Sequence, residues 1–279
     1  MNNMSLGIIG LGLMGGSLAL SAKDIPFISK IIASDHNEKH RKEAMELNLV
    51  DEFVEFEKIK ECDIIILAIP VNGVISTLSK LDGIKESATV IDLGSTKELI
   101  VKSVPKEFRK NFVAAHPMTG TENFGPKAAV EDLYDDKVVV LCDLEDSGEF
   151  QKRVAVELFR ALGMQLHYMH AHEHDRHAAF ISHMPHAISF SIANTVMAQE
   201  DKDNILTLAA GGFRSMSRLA KSSPHMWEDI FRQNSKNLLE AIELFEEELS
   251  NMKEEIKTKD FEALNRRMQD ANKLQSIFR

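Results

Sequence analysis

Short, unbroken apolar runs recur through the first 170 positions, and stretches of helix-forming composition separate them. The runs are Gly7-Ile8-Ile9-Gly10, Lys30 to Ser34, Asp63 to Pro70, Thr89 to Gly94, Phe112 to Ala115, Lys137 to Leu141 and Gln165 to Tyr168. Runs without a polar alternation suit strands covered on both faces, as in parallel sheets. Helices are expected after the first glycines, over Glu38 to Leu47, Val71 to Leu81 and Ser147 to Leu162. Strands alternating with helices predict a doubly wound parallel α/β domain over residues 1–170. Beyond Ala171 the apolar runs stop and helical periodicity continues to the C-terminus, so residues 171–279 are expected to form an all-helical second domain. Its clearest pattern is Leu238, Ile242, Phe245, Leu249, Met252 and Ile256, spaced by alternating steps of four and three. Such a heptad seam fits a core-facing helix or a subunit interface equally. No internal repeat or low-complexity linker is visible.

The first run ends in a glycine turn. Gly10, Gly12 and Gly15 follow the G-x-G-x-x-G/A spacing, in which the first glycine permits a tight turn, the second lets backbone approach a pyrophosphate, and the third lets helix and strand pack closely. The N-terminus of the following helix would face the phosphates with unpaired N–H groups and its positive dipole end. The second run ends at Asp35, twenty residues beyond Gly15, where an acid is expected on the adenosine ribose. A carboxylate there favours NAD over NADP, since it would repel a 2′-phosphate. The expected cofactor-binding residues are therefore Gly10, Leu11, Gly12, Leu13, Met14, Gly15 and Asp35, with Ile69 and Pro70 at the end of the third run.

Composition narrows the partners. The formal charge of −10 over 279 residues disfavours nucleic acid or an anionic membrane, and means that an anionic substrate would need a local basic cluster. Two cysteines, Cys62 and Cys142, make no disulfide framework and suit a reducing cytoplasm. The apolar start has no basic residue before Lys23 and is broken by glycines, unlike a secretory signal, and no stretch is apolar enough to span a membrane.

Ligands of doubly wound sheets bind beyond the carboxyl ends of the strands, so residues just after each run are the candidates for chemistry. Ser95, in Gly94-Ser95-Thr96-Lys97, has capping-box spacing to Glu98 and could cap a helix or face a ligand. His116, followed by Pro117-Met118-Thr119-Gly120-Thr121-Glu122, is a candidate acid or base, or a surface histidine at a strand end. Thr119 and Glu122 repeat the capping-box spacing. In the helical part, Arg214 and Arg218 lie four apart with Lys221 beyond, a carboxylate clamp or a solvated basic face. Seven histidines crowd His167 to His186, without a His-Glu-x-x-His pattern; helix capping and substrate contacts explain them better than a metal, and no metal is expected.

Together these stretches resemble the prephenate dehydrogenase family of tyrosine biosynthesis, from the glycine turn to about Trp227. The resemblance rests on GLGLMGGSLA at the start, DLGSTK at 92–97, HPMTGTENFG at 116–125, SHMPHAISF at 182–190 and GGFRSMSRLAKSSPHMWEDIFRQN at 211–234. It implies an N-terminal Rossmann domain with NAD, a helical dimerisation domain making a homodimer, and a site built from both. By the resemblance His116 corresponds to the catalytic histidine that holds the substrate 4-hydroxyl, and Ser95 to a serine that helps hold that hydroxyl and the histidine. Arg218 corresponds to the arginine on a substrate carboxylate, and Thr121, Glu122, His183, His186 and Trp227 to positions lining the pocket. Ser215 departs from the family pattern, since many relatives carry there an acid that pairs with the arginine.

The implied reaction is NAD-dependent oxidative decarboxylation of prephenate to 4-hydroxyphenylpyruvate by a cytoplasmic, monofunctional enzyme, since the length leaves no room for a regulatory or mutase domain. An arogenate or dual-specificity cyclohexadienyl dehydrogenase is the nearest alternative. A non-catalytic NAD-sensing or scaffold protein is the alternative of another class.

Overall fold

A computed structural model describes residues 3–121 and 123–277. Eight strands form one sheet: β1 (Met4–Ile9), β2 (Ile28–Ser34), β3 (Glu52–Phe53), β4 (Ile64–Leu67), β5 (Thr89–Asp92), β6 (Phe112–Pro117), β7 (Val138–Cys142) and β8 (Gln165–Met169). Their order is β3-β2-β1-β4-β5-β6-β7-β8. The chain builds outward from β1 in one direction and then, from β4, in the other, so the switch point lies between β1 and β4. Ligands of such sheets collect there.

The sheet is not wholly parallel. β6 and β7 pair antiparallel, with His116 opposite Val140, whereas β1 through β6 run parallel and β8 runs parallel to β7. A parallel return needs a crossover of a dozen or more residues, usually a helix. Between β6 and β7 the described residues hold one short 3₁₀ turn, Pro126–Ala128, and the chain reverses instead. The edge strand β3 has two residues, too few to show any periodicity.

Six helices belong to the alternating part: α1 (Leu13–Ala22), α2 (Glu38–Glu46), α3 (Phe56–Ile59), α4 (Val71–Leu78), α5 (Glu98–Lys102) and α6 (Glu149–Ala161). Successive strand residues feed opposite cores. Leu6, Ile8, Ile64, Ile66, Ile91 and Val113 join the cluster holding Leu18 of α1 and Leu158 of α6. Ile9, Ile65, Leu67, Val90, Phe112 and Ala114 join the one holding Val74 of α4 and Ile100 of α5. Both faces are therefore apolar, which is why these strands read as continuous runs.

The remaining helices are α7 (Ala171–Ala178), α8 (Met184–Met197), α9 (Lys202–Thr207), α10 (Gly211–Ser217), α11 (Pro224–Gln233), α12 (Ser235–Thr258) and α13 (Phe261–Asn272). A π-helical turn, Ala179–His183, joins α7 to α8. Pro185 has no N–H to return to the preceding turn, and a widened turn beside a proline is an expected response. The chain forms two compact units, Met1–Asn234 and Ser235–Arg279. Trp227 and Ile230 of α11 enter the same core as α4 and α5. Hydrogen bonds secure α11 there: Thr96 Oγ1 donates to Gln233 Oε1 at 2.7 Å, and Gln233 Nε2 to Asn72 Oδ1 at 2.8 Å. In the second unit Arg267 of α13 bridges Glu248 and Glu255 of α12. Among the described residues no helix is long and apolar enough to cross a membrane.

Candidate active site

At the end of β1 the three glycines differ in what surrounds them. Gly10 has φ +89°, and a Cβ there would meet the Ala68 carbonyl oxygen and Ile69 Cγ2, both at 2.6 Å. A Cβ on Gly15 would lie 2.0 Å from the Gly10 oxygen. Those two glycines make the turn. Gly12 faces open space, with nothing within 4 Å of its would-be Cβ, and it starts α1 without a side-chain cap or an acid in the first turn. Uncapped N–H groups beside that opening suit a pyrophosphate. Asp35, just beyond β2, is nearly buried and accepts from Leu11 N at 3.0 Å and Asn37 N at 2.8 Å, which ties the acid directly to the glycine turn. Leu13 is buried, Met14 partly so, and the Met14 carbonyl accepts from Tyr134 Oη at 2.7 Å. Ile69 packs against Gly10, and Pro70 is the exposed residue before α4. These residues fit a bound dinucleotide.

The second cluster forms around the end of β6. His116 is half-buried, and its Nδ1 lies 2.7 Å from His174 Nε2. His174 Nδ1 lies 2.8 Å from Asp175 Oδ1. Asp175 also accepts from Lys97 N at 2.7 Å and Glu98 N at 2.9 Å. The start of α5 is therefore capped by an acid from α7. Ser95 caps nothing there, which corrects the capping-box reading: a buried carboxylate takes the orphan N–H groups instead. Beneath His116, Lys97 Nζ pairs with Asp92 in a fully buried ion pair and donates to the Ala115 carbonyl at 2.7 Å. Burial, followed by the neighbouring His174, the Lys97 charge and His183, holds His116 well below the ordinary histidine range. It is neutral at neutral pH, as a proton acceptor must be.

A third set lies on the helices beyond α7. Asn234 Nδ2 donates to the Asp175 carbonyl at 2.6 Å and lies 3.0 Å from His183 Nδ1. An amide nitrogen only donates, so His183 Nδ1 accepts and its proton sits on Nε2. Burial brings the His183 pKa down to about 4, so this neutral form prevails. Among the described residues, both His183 Nε2 and Trp227 Nε1 are buried N–H donors without an acceptor. His186 stacks on Trp227, with ring centroids 3.6 Å apart, and donates from Nδ1 to the Ser182 carbonyl at 2.9 Å. Burial, and then the Arg218 charge, lowers the His186 pKa, which places Arg218 within electrostatic reach of that stack.

Other expected residues join less tightly. Arg218 is exposed and caps the end of α10 in helical backbone, one turn beyond the exposed Arg214 and at the start of a 3₁₀ turn. Ser95 is half-buried on the loop between β5 and α5. Thr121 is exposed after β6, and its hydroxyl accepts from Asn123 N at 3.2 Å. No helix begins at Thr119, whose hydroxyl donates to Leu133 O at 3.0 Å. Glu122 lies outside the described residues. Sequence reasoning assigned no role to Asp92, Lys97, His174, Asp175 or Asn234. One metal-capable trio occurs among the described residues, Asp143, Glu145 and His170. There Asp143 accepts from Ala171 N at the start of α7.

A glycine turn at the switch point, an acid beyond β2 and a neutral histidine near the end of β6 define the class: a nucleotide-binding α/β protein with a histidine cluster at the carboxyl end of its sheet. Comparison with known proteins gives the family. Residues 18–168 match the nucleotide-binding domain of prephenate dehydrogenase, and residues 170–270 match its dimerization domain. A prephenate dehydrogenase of Bacillus subtilis is 32% identical over 95% of this chain and 74% of its own. A cyclohexadienyl dehydrogenase of Zymomonas mobilis is 28% identical over 96% of this chain and 94% of its own. The crystal structure of prephenate dehydrogenase from A. aeolicus, in complex with hydroxyphenyl propionate and NAD+, superimposes with a TM-score of 0.93 at 31% identity, covering 100% of this chain and 99% of that one. The chain belongs to the prephenate dehydrogenase family.

Proposed function

We propose that the protein is an NAD-dependent prephenate dehydrogenase, converting prephenate to 4-hydroxyphenylpyruvate and carbon dioxide. The observation that carries this reading is the pair of buried N–H donors without acceptors among the described residues, His183 Nε2 and Trp227 Nε1, the His183 ring being linked through Asn234, Asp175 and His174 to a neutral histidine. Leaving such donors unmet costs roughly 1–3 kcal/mol each. A ligand with carboxylates repays that cost, and a ligand with a hydroxyl gives His116 its proton. Prephenate brings both. Arg218, exposed near His186, supplies positive charge for a dianion that the protein's overall charge of −10 would otherwise repel.

The glycine turn and Asp35 would hold NAD, which accepts the hydride when bound. His116 takes the hydroxyl proton as hydride leaves the same carbon. The carboxylate left opposite a new carbonyl is then lost as carbon dioxide, because its departure makes the ring aromatic. The electron pair reaches the phenolate oxygen, and His116 returns the proton there. No net proton is released. General-base assistance of this kind contributes ~10²–10⁴-fold in rate. Ser95, Thr121 and Glu122 are assigned to the pocket, Ser95 beside the hydroxyl. Residues 1–170 serve the cofactor, and 171–279 the substrate and the dimer.

The second unit supports a homodimer. Within one chain the heptad seam of α12 is covered unevenly: Leu238 is buried and Ile242, Phe245 and Met252 are half-buried, whereas Leu249 and Ile256 are 53% and 54% exposed. A second copy would cover them, and sedimentation gives the test: a monomer overturns this part. The activity test is NADH formation by the purified protein with NAD and either prephenate or arogenate, repeated with NADP. Turnover with prephenate and NAD supports the proposal. Preference for arogenate would replace the substrate, and no turnover with either would overturn the enzymatic reading.

A further inference from the structure

We propose that Asp175 and His174 are positioning residues that set the tautomer of His116, so that its Nδ1 carries the proton and its Nε2 is the base. The inference deepens the proposed function and rests on His116 being the group that takes the substrate proton.

The argument starts at the buried carboxylate. Asp175 Oδ1 accepts from Lys97 N at 2.7 Å and its Oδ2 from Glu98 N at 2.9 Å. Two main-chain donors at the start of α5 hold this group as an ionised acceptor, the form such bonds favour. An ionised carboxylate only accepts, so the 2.8 Å contact to His174 Nδ1 requires a hydrogen on that nitrogen. Carrying that one proton, His174 has a bare Nε2. At 2.7 Å from His116 Nδ1, that bare nitrogen requires a hydrogen on His116 Nδ1. The protonation pattern is transmitted through two rings, and it leaves His116 Nε2 bare.

The placement of these groups is over-determined. His174 and Asp175 are each 2% exposed on the inner stripe of α7, between the buried Ala171 and Ala178. The rings of His116 and His174 meet edge to face with centroids 4.9 Å apart, so neither can flip without leaving the contact. Asn234 also donates to the Asp175 main-chain carbonyl. An isolated imidazole prefers its proton on the outer nitrogen; here that would put an N–H where a proton has to be received. When His116 accepts the substrate proton at Nε2, its Nδ1–H already points at an acceptor backed by a carboxylate. The new charge is therefore met without rearrangement.

Asp175→Asn reverses this logic. Seating the amide nitrogen at the Oδ1 position gives up the bond from Lys97 N but donates to His174 Nδ1, which moves the His174 proton to Nε2 and turns it toward His116; the His116 proton then shifts to Nε2 and blocks the base. An analogous aspartate-to-asparagine exchange beside a catalytic histidine costs about 10⁴-fold in a serine protease. With one more ring in the path, a loss of kcat on the order of 10²-fold is expected here. KM and NAD affinity should hold within about threefold, because the reaction step and not uniform binding is impaired.

The test reads the tautomer directly by ¹⁵N NMR of the histidine-labelled full-length protein, with the His116 signals assigned by their loss in His116→Asn. Wild type should show protonated Nδ1 and bare Nε2 at His116, and Asp175→Asn the reverse. His174→Gln, which keeps an acceptor for His116 without the carboxylate behind it, should retain the tautomer and more activity than His174→Leu. A wild-type His116 protonated on Nε2 overturns the proposal, as does an Asp175→Asn protein with unchanged tautomer and kcat. A variant that merely unfolds would lose kcat, NAD binding and thermal transition together; the wild-type tautomer and the His174 pair then decide. Should the wild type prove inactive on prephenate and arogenate while showing the expected tautomer, the functional reading fails and the relay stands.

Discussion

At the glycine turn the groups prepared for a ligand are main-chain N–H groups of one contiguous stretch, Gly10 to Gly15, whereas around His116 they are side chains gathered from positions 92 to 234. Both lie at the carboxyl edge of the same run of parallel strands. The turn works by omission, since two glycines leave out atoms that would collide and a third leaves space. The histidine cluster works by addition: each side chain is aligned by another, ending in a carboxylate or a main-chain group. A site made by omission tolerates few substitutions but needs few partners. One made by addition can be dismantled from a distance.

The sharpest way to separate the two is His116→Asn. It should lower kcat by ~10²–10⁴-fold while NAD affinity, measured calorimetrically, stays near wild type. A loss of NAD binding would show that the two regions are one, and a few-fold effect on kcat would remove His116 from the chemistry.

Next in size is Lys97→Met. It strands Asp92 as an unpaired carboxylate in a site where both side chains are fully buried. Breaking such a pair costs about 3–5 kcal/mol. Denaturant unfolding should report it as a lower midpoint at unchanged slope. Removing the Lys97 charge also lifts one of the influences that depress His116, so the acid limb of the rate profile should move to higher pH. Asp92→Asn together with Lys97→Met should recover much of the stability, because no charge is then left unpaired.

This difference in construction explains what could be read from the sequence. Gly10, Gly12, Gly15 and Asp35 announce themselves by spacing because the chain that makes the turn is the chain that meets the ligand. His116 was marked by ending an apolar run. His174 and Asp175 were lost among seven histidines, although Ala171, His174, Asp175 and Ala178 form an i, i+3, i+4, i+7 stripe whose only polar members are those two. Ser95 and Glu98 looked like a local cap, but the acid that serves α5 is 78 residues away, a separation no local pattern encodes. The reversal at β7 was equally hidden, because an apolar run has the same composition in either direction. Lys97 could be quoted within DLGSTK, yet nothing in its neighbours says that it is buried.

A pH test sharpens the contrast at the level of stability. Burial lowers the His183 pKa to about 4, against about 6.5 for an exposed histidine. Between those values the unfolded chain binds more protons at this residue than the folded protein, so stability falls as pH falls through that window. It is fully present above about pH 6.5. The loss is on the order of 3 kcal/mol by pH 4, and His183→Gln should reduce that acid slope in melting temperatures measured from pH 7 downward. His116 adds to the same slope, its pKa being lowered as well. Substitutions at the glycine turn should leave the slope unchanged.

The smallest effects should come from the turn itself, and they divide by glycine. Gly15→Ala places a Cβ 2.0 Å from a main-chain oxygen, so α1 must shift away from β1, at a cost of about 1–3 kcal/mol even without cofactor. Gly12→Ala meets no protein atom within 4 Å. In the cofactor-free protein it should change stability by no more than ~1 kcal/mol, the difference between glycine and alanine at a helix N-cap. Its effect should appear when NAD is added, as an affinity weakened roughly tenfold or more, since a methyl then occupies the approach of the pyrophosphate. Thermal melts with and without NAD distinguish the two variants: a Gly12→Ala protein destabilised without NAD, or binding NAD normally, would mean that the opening before α1 is not where the phosphates lie.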